Sequence, residues 1–150
     1  TENYEIDIQE KEIENSDLPA TEKKQLIKSR VGQGKFRTNV IKIEKKCRVT
    51  GVSNINHLIA SHIKPWRDIS LDDRKQKLDG NNGLLLAHHI DHLFDKGYIT
   101  FGNNGDLIIS TKLDEEILEK WKLNKNLNVG SFSSKQQEYL SYHRESVFKQ

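Results

Sequence analysis

Apolar residues are scattered over the first twenty positions and gather into short, spaced groups after them. Residues 1–20 hold no sustained apolar period and end in Asp17-Leu18-Pro19, the pattern of a linker or arm. Thr21-Glu22 can cap a helix over Lys23–Val31. Gly32-Gln33-Gly34 interrupts it, and a second helix runs from Lys35 to about Lys45 with Phe36, Val40 and Ile41 or Ile43 on one side. Cys47-Arg48-Val49-Thr50-Gly51 reads as a short extended piece ending in a turn. Leu58–Ile63 has the apolar, β-branched character of a strand, stopped by Pro65. A polar stretch with one helical turn near Leu71–Leu78 leads to a second apolar strand, Gly83–Ala87. His88–Asp95 is helical, with Ile90, Leu93 and Phe94 inward and Gly97 as its stop. Tyr98–Phe101 and Leu107–Ser110 flank the hairpin signal Asn103-Asn104-Gly105. Leu113–Trp121 and Ser134–Lys149 predict two further helices, the first opened by Asp114-Glu115-Glu116. Strands and helices mixed in this order predict an α+β domain over residues 21–150.

Composition narrows the class. With 34% hydrophobic and 31% charged residues among 150, the core is small and the connections polar. No run approaches the roughly 20 apolar residues of a membrane span, and the acidic N-terminus is not a signal peptide. A single cysteine, Cys47, excludes an internal disulfide framework and a multi-Cys zinc cluster, so no structural zinc is expected and a reducing cytoplasm is the simplest location. The chain starts at Thr1 and lacks methionine, which reads as a fragment of something longer. Its net charge of +2 hides an uneven distribution. Residues 1–22 carry eight acids against Lys11 alone, whereas residues 23–67 carry twelve Lys or Arg against Glu44 alone, a net of +11. A basic block of this kind suits a polyanion, and equally suits a solvated helix face.

Chemistry concentrates between Ser61 and Gly97. His62 ends the first strand, Asn82 precedes the second, and His88, His89, Asp91 and His92 open the helix. Phosphodiester hydrolysis needs a base for water, a cation for the developing charge and a group that orients the base. Imidazole suits the first task because it titrates near neutrality; carboxylate and imidazole together suit the second. His57 and His143 read as satisfied polar residues, Asp95 as a structural helix-end group, and Cys47 as a small buried apolar residue.

Four segments in order carry a resemblance: Cys47-Arg48-Val49-Thr50-Gly51, Ala60-Ser61-His62-Ile63-Lys64-Pro65, Asn82-Gly83-Leu84-Leu85-Leu86, and His89-Ile90-Asp91-His92-Leu93-Phe94-Asp95-Lys96-Gly97. This pattern resembles the HNH (ββα-metal) nucleases, and within them the subgroup at the C-terminus of bacterial restriction-type endonucleases. Arg30–Arg37 and Tyr139–Glu145 match the same subgroup, so the likeness spans roughly residues 28–148. It implies a ββα-metal core at about 47–97 with flanking helices and an additional β-hairpin. It also implies that His62 activates water, that Asn82 braces the loop and orients His62, and that Asp91 binds one divalent cation, Mg²⁺ or Mn²⁺. Many relatives carry a metal-binding Asp before the base, where this chain has Ser61. His89 is the expected replacement ligand, with His92 as an alternative ligand or a phosphate donor. Residues two apart do not share a helix face, so a grip by His89 and Asp91 together needs an irregular first turn. Arg30, Gln33, Arg37, Lys64 and His92 are the expected contacts to nucleic acid, with packing beside the site an equal alternative for Arg30, Gln33 and Arg37. The implied activity is cleavage of double-stranded DNA in bacterial defence, with a homodimer or two encounters for a double-strand break. A fused target-recognition domain outside this chain would choose the target. Two rivals stay open: a DNA-binding module with a degenerate site, and an RNA-directed ββα nuclease.

Overall fold

The computed structural model describes residues 15–70 and 72–150, and only the backbone course for residues 25–33. Within that range the protein mixes helices with two small antiparallel sheets, an α+β arrangement. The acidic arm expected at 1–20 lies outside the described residues up to position 14, and residues 17–20 are exposed.

One helix, α1 (Ala20–Ile43), replaces the two that the glycines suggested. A glycine inside a helix costs about 1 kcal/mol. Burying Phe36 and Val40, both essentially inaccessible, returns roughly 1.5–3 kcal/mol each, so Gly32 and Gly34 do not break the rod. Glu44 leaves the helix in extended geometry. The chain then turns through Cys47–Gly51, closed by Gly51 N–H to the Cys47 carbonyl at 2.8 Å and Cys47 N–H to the Val52 carbonyl at 2.9 Å.

The central unit is a pair of strands followed at once by a helix. Strands β1 (Leu58–His62) and β2 (Gly83–Ala87) run antiparallel, in a register from Leu58 opposite Ala87 to His62 opposite Gly83. Their long connection holds a short helix, α2 (Arg74–Leu78). Helix α3 (His88–Asp95) starts directly after β2. All five residues of β2 are buried, because α1 and α3 both pack on the strand pair. Gly83 is what admits α1: a Cβ there would stand 2.6 Å from the Phe36 ring.

Beyond α3, Gly97 takes the left-handed conformation (φ 79°) and turns the chain into a hairpin, β3 (Ile99–Phe101) and β4 (Leu107–Ile109). Helices α4 (Glu115–Lys120) and α5 (Ser134–Tyr142) follow, α5 opened by a capping box between Ser133 and Gln136. The last helix stops short of the Lys149 end that the sequence suggested and passes into a π-helical turn, His143–Val147. Buried His143 accounts for this. Its Nε2–H donates to the Phe94 carbonyl (2.8 Å), its Nδ1 accepts from the Thr100 hydroxyl (2.8 Å), and its ring stacks on Phe94 at 3.9 Å. The tail is fastened again where Lys149 N–H meets the Gly97 carbonyl at 2.8 Å. No helix among the described residues is long and apolar enough to cross a membrane.

Candidate active site

His62 sits at the open end of β1, opposite Gly83. Because Gly83 has no side chain, Phe36 of α1 reaches across and stacks flat on the imidazole, with centroids 3.5 Å apart and planes at 8°. Trp66 meets the ring edge-on at 5.5 Å. The main-chain carbonyl of Lys77 lies 2.9 Å from Nε2. A carbonyl only accepts, so Nε2 carries the proton and Nδ1 keeps the lone pair. Burial pushes the imidazole down to about 4; the carbonyl bond offsets this in part and the Lys77 ammonium adds to it. A neutral ring with a fixed tautomer and locked plane is what a general base requires.

Lys77 is itself unusual. Only 6% of it is exposed, its ammonium sits 4.6 Å from the Trp66 ring, and among the described residues no acid forms an ion pair with it. Buried lysines normally have such a partner. Lys77, Phe36 and Trp66 carry no motif that marks them as parts of the site in the sequence; only the fold brings them to His62.

Asn82 is fully buried, and its amide ties the β1–β2 connection together. Its Oδ1 accepts from Lys64 N–H at 2.8 Å, while Nδ2 donates to the carbonyls of Lys64 (3.2 Å) and Gln76 (3.4 Å). The Asn82 carbonyl accepts from Ile63 N–H at 3.0 Å. One side chain thereby fixes both Lys64, two residues past His62, and Gln76, next to the Lys77 carbonyl. Lys64 is half-buried, with its ammonium 4.9 Å from the Tyr142 ring.

Asp91 lies on α3, with the Ser61 hydroxyl near enough to its carboxylate to favour the charged form. Ser61 on β1 therefore faces Asp91 across the packing of strand and helix. Burial raises the Asp91 carboxyl above its usual range; the Ser61 hydroxyl opposes this, Asp95 adds to it, and His88 and His92 oppose it. Helix α3 is regular from His88, so His89 and Asp91 point about 200° apart around it. The expected joint grip of His89 and Asp91 is not what the structure assembles. The His89 ring meets Trp121 edge-on at 5.4 Å, its pKa lowered by burial, and His92 meets the same indole at 6.5 Å. His88, three residues before Asp91, shares its face instead. Among the described residues no three His, Cys, Asp or Glu side chains form a group that could hold a metal ion. The donors do fit a hard cation that takes most of its shell from water and phosphate. Mg²⁺ is commonly held by one or two carboxylates plus substrate oxygens, and Asp91 offers a half-buried carboxylate whose charge a cation would offset.

The expected backbone contacts divide. Arg37 is engaged inside the protein, donating to the carbonyls of Leu58 (2.6 Å) and Ile55 (2.5 Å), so it pins α1 to the entry of β1. The side chains of Arg30 and Gln33 lie outside the described residues. Asp95 pairs with Arg67 at 3.6 Å, Cys47 is a buried free thiol, and exposed His57 ends a 3₁₀ turn.

Residues 47–102 match a family model described as HNH endonuclease. The match contains both central strands, α3 and β3, with His62, Asn82 and Asp91 inside it. No curated protein matches the chain.

Proposed function

We infer that this chain is a nuclease acting on nucleic acids, a reading supported by the match of residues 47–102 to the HNH endonuclease family, whose domains generally use a divalent metal. We propose that this chain hydrolyses the phosphodiester backbone of double-stranded DNA, as the cleavage part of a bacterial restriction enzyme. The observation that carries this reading is the setting of His62. Its Nε2 is spent on the Lys77 carbonyl, its plane is locked by Phe36, and Nδ1 is left as the proton acceptor, in a core whose next helix bears Asp91. The strand pair and α3 then serve as the ββα-metal unit.

In this mechanism Nδ1 of His62 takes a proton from the attacking water, and Asn82 keeps the loop and the Lys77 carbonyl in place. Asp91 would hold the cation, with His88 rather than His89 the imidazole on its face. When bound, the cation supplies charge neutralisation at the phosphate. Lys64 and exposed His92 are offered to the backbone on either side.

The test is digestion of supercoiled plasmid, linear duplex and RNA by the purified chain in Mg²⁺, Mn²⁺ or EDTA. Nicking of plasmid and cutting of duplex in either metal, abolished by EDTA, is the expected result. RNA cut in preference to DNA would move the activity to the RNA-directed class. DNA bound but uncut in both metals would leave a binding module.

A further inference from the structure

A concavity opens beside α3, and its wall from Lys112 onward lies outside the residues that match the family. It encloses about 220 Å³ between α3, the start of β3 and α4. Trp121, His92 and Tyr98 supply aromatic surface, Ile117 an apolar wall, and Lys112 and Asp114 the polar heads. Both heads are unspent. Asp114 occupies the N-cap of α4 without the usual side-chain bond to the helix. Among the described residues neither Asp114 nor Lys112 joins an ion pair. Trp121 is only half-buried, and its indole N–H has no hydrogen-bond partner among the described residues.

We propose that this pocket receives one nucleobase, unpaired or extruded from the strand being cut. The chemistry matches on three counts. An indole bordered by imidazole edges offers a stacking surface to any base. A free carboxylate and a free ammonium at one rim can read the donor and acceptor edge of a heteroaromatic ring, as sites for flipped bases do. The volume admits one base and excludes a base pair. His92, one position past Asp91, lines the pocket, so a base held here has its own phosphate beside α3. The inference rests on the nuclease reading for its biological sense but makes a separate physical claim: the chain grips a base as well as a backbone.

The test compares two strands with the same phosphates, an oligothymidylate and an abasic strand of equal length, bound to the whole chain in EDTA. Fluorescence anisotropy should show the oligothymidylate binding about tenfold more tightly, the weight of one stacked base, with quenching of tryptophan emission. In Trp121→Leu, checked for folding by its melting curve, the two strands should bind alike and the quenching should shrink. Asp114→Asn, a milder change, should keep the melting curve and alter the ranking among homopolymer strands. Equal binding of both strands by the wild type, no binding of either, or a preference that survives Trp121→Leu, would each overturn the pocket. Because no cleavage is needed, a chain that cuts DNA yet ignores bases contradicts only this inference. One that stacks bases through Trp121 yet never cuts contradicts only the nuclease.

Discussion

At the scale of single residues, His62, His143 and Asp91 are each held away from their solution charge balance. Burial drives both histidines down to about 4, against an ordinary value of 6.5. Above about pH 6.5 the folded and unfolded chains carry them alike. Below it the unfolded chain takes up protons that the folded one refuses, so stability falls as pH drops toward 4. The loss approaches roughly 3 kcal/mol per histidine at the lower end. Denaturant melts from pH 7.5 to 4.5 should show this decline, and His143→Gln should remove part of its slope. Asp91 is displaced upward by burial, so its charge strains the metal-free fold. Asp91→Asn keeps an acceptor for Ser61 and removes that charge. Its melting temperature in EDTA should match or exceed the wild type, while added Mn²⁺, which should raise the wild-type melting temperature by binding the native state, should raise it no further. A variant that still gained stability from Mn²⁺ would place the cation elsewhere. His62 and Asp91 are candidates legible in the sequence because the motif around them is local. Lys77 could not, since what it gives His62 is a main-chain carbonyl, which no side-chain pattern encodes.

Among the elements, the strands, α3 and the hairpin follow from apolar runs and turn residues, and they form where those patterns place them. The failures share one cause: long-range packing outweighed local propensity. Gly32 and Gly34 suggested a break in α1, but Phe36 and Val40 had a sheet to bury against. The final helix gave way to a π-helical turn because His143 found bonding partners for both nitrogens in Thr100 and Phe94. The separation of His89 from Asp91 could be anticipated from helix periodicity; that His89 meets Trp121 could not. Gly83 joins fold to chemistry, because its missing side chain is the space through which Phe36 reaches His62. Gly83→Ala should cost about 1–3 kcal/mol by overpacking and should depress cleavage beyond what the remaining folded fraction explains. A melt and a nicking assay on the same preparation check both. Unchanged cleavage in a stable Gly83→Ala protein would mean that the Phe36 stack does not matter to the base.

Across the whole molecule, two arginines of the basic block at residues 23–67 are turned inward to the protein's own carbonyls and carboxylate. Arg37 is consumed by two carbonyls. Arg48 forks onto buried Glu44 at 2.7 and 2.9 Å, reaches the carbonyls of Gly130 and Ser131, and lies 4.2 Å over the Phe132 ring. These arginines close the domain by tying the segment before β1 to its neighbours and to the approach to α5, so net charge along the sequence overstated what is offered to a polyanion. What remains is an architecture in which one strand end, one buried asparagine and one helix meet, and its central claim is that His62 is the base. The most direct measurement is nicking of supercoiled plasmid in Mg²⁺ or Mn²⁺ by the wild type and by His62→Ala, with DNA binding measured alongside. Binding by His62→Ala within a few-fold of wild type and a cleavage rate lower by about 10²–10⁴, the usual weight of a general base, are the expected results. Nicking by His62→Ala at the wild-type rate, in a preparation that melts as one folded species, would contradict it.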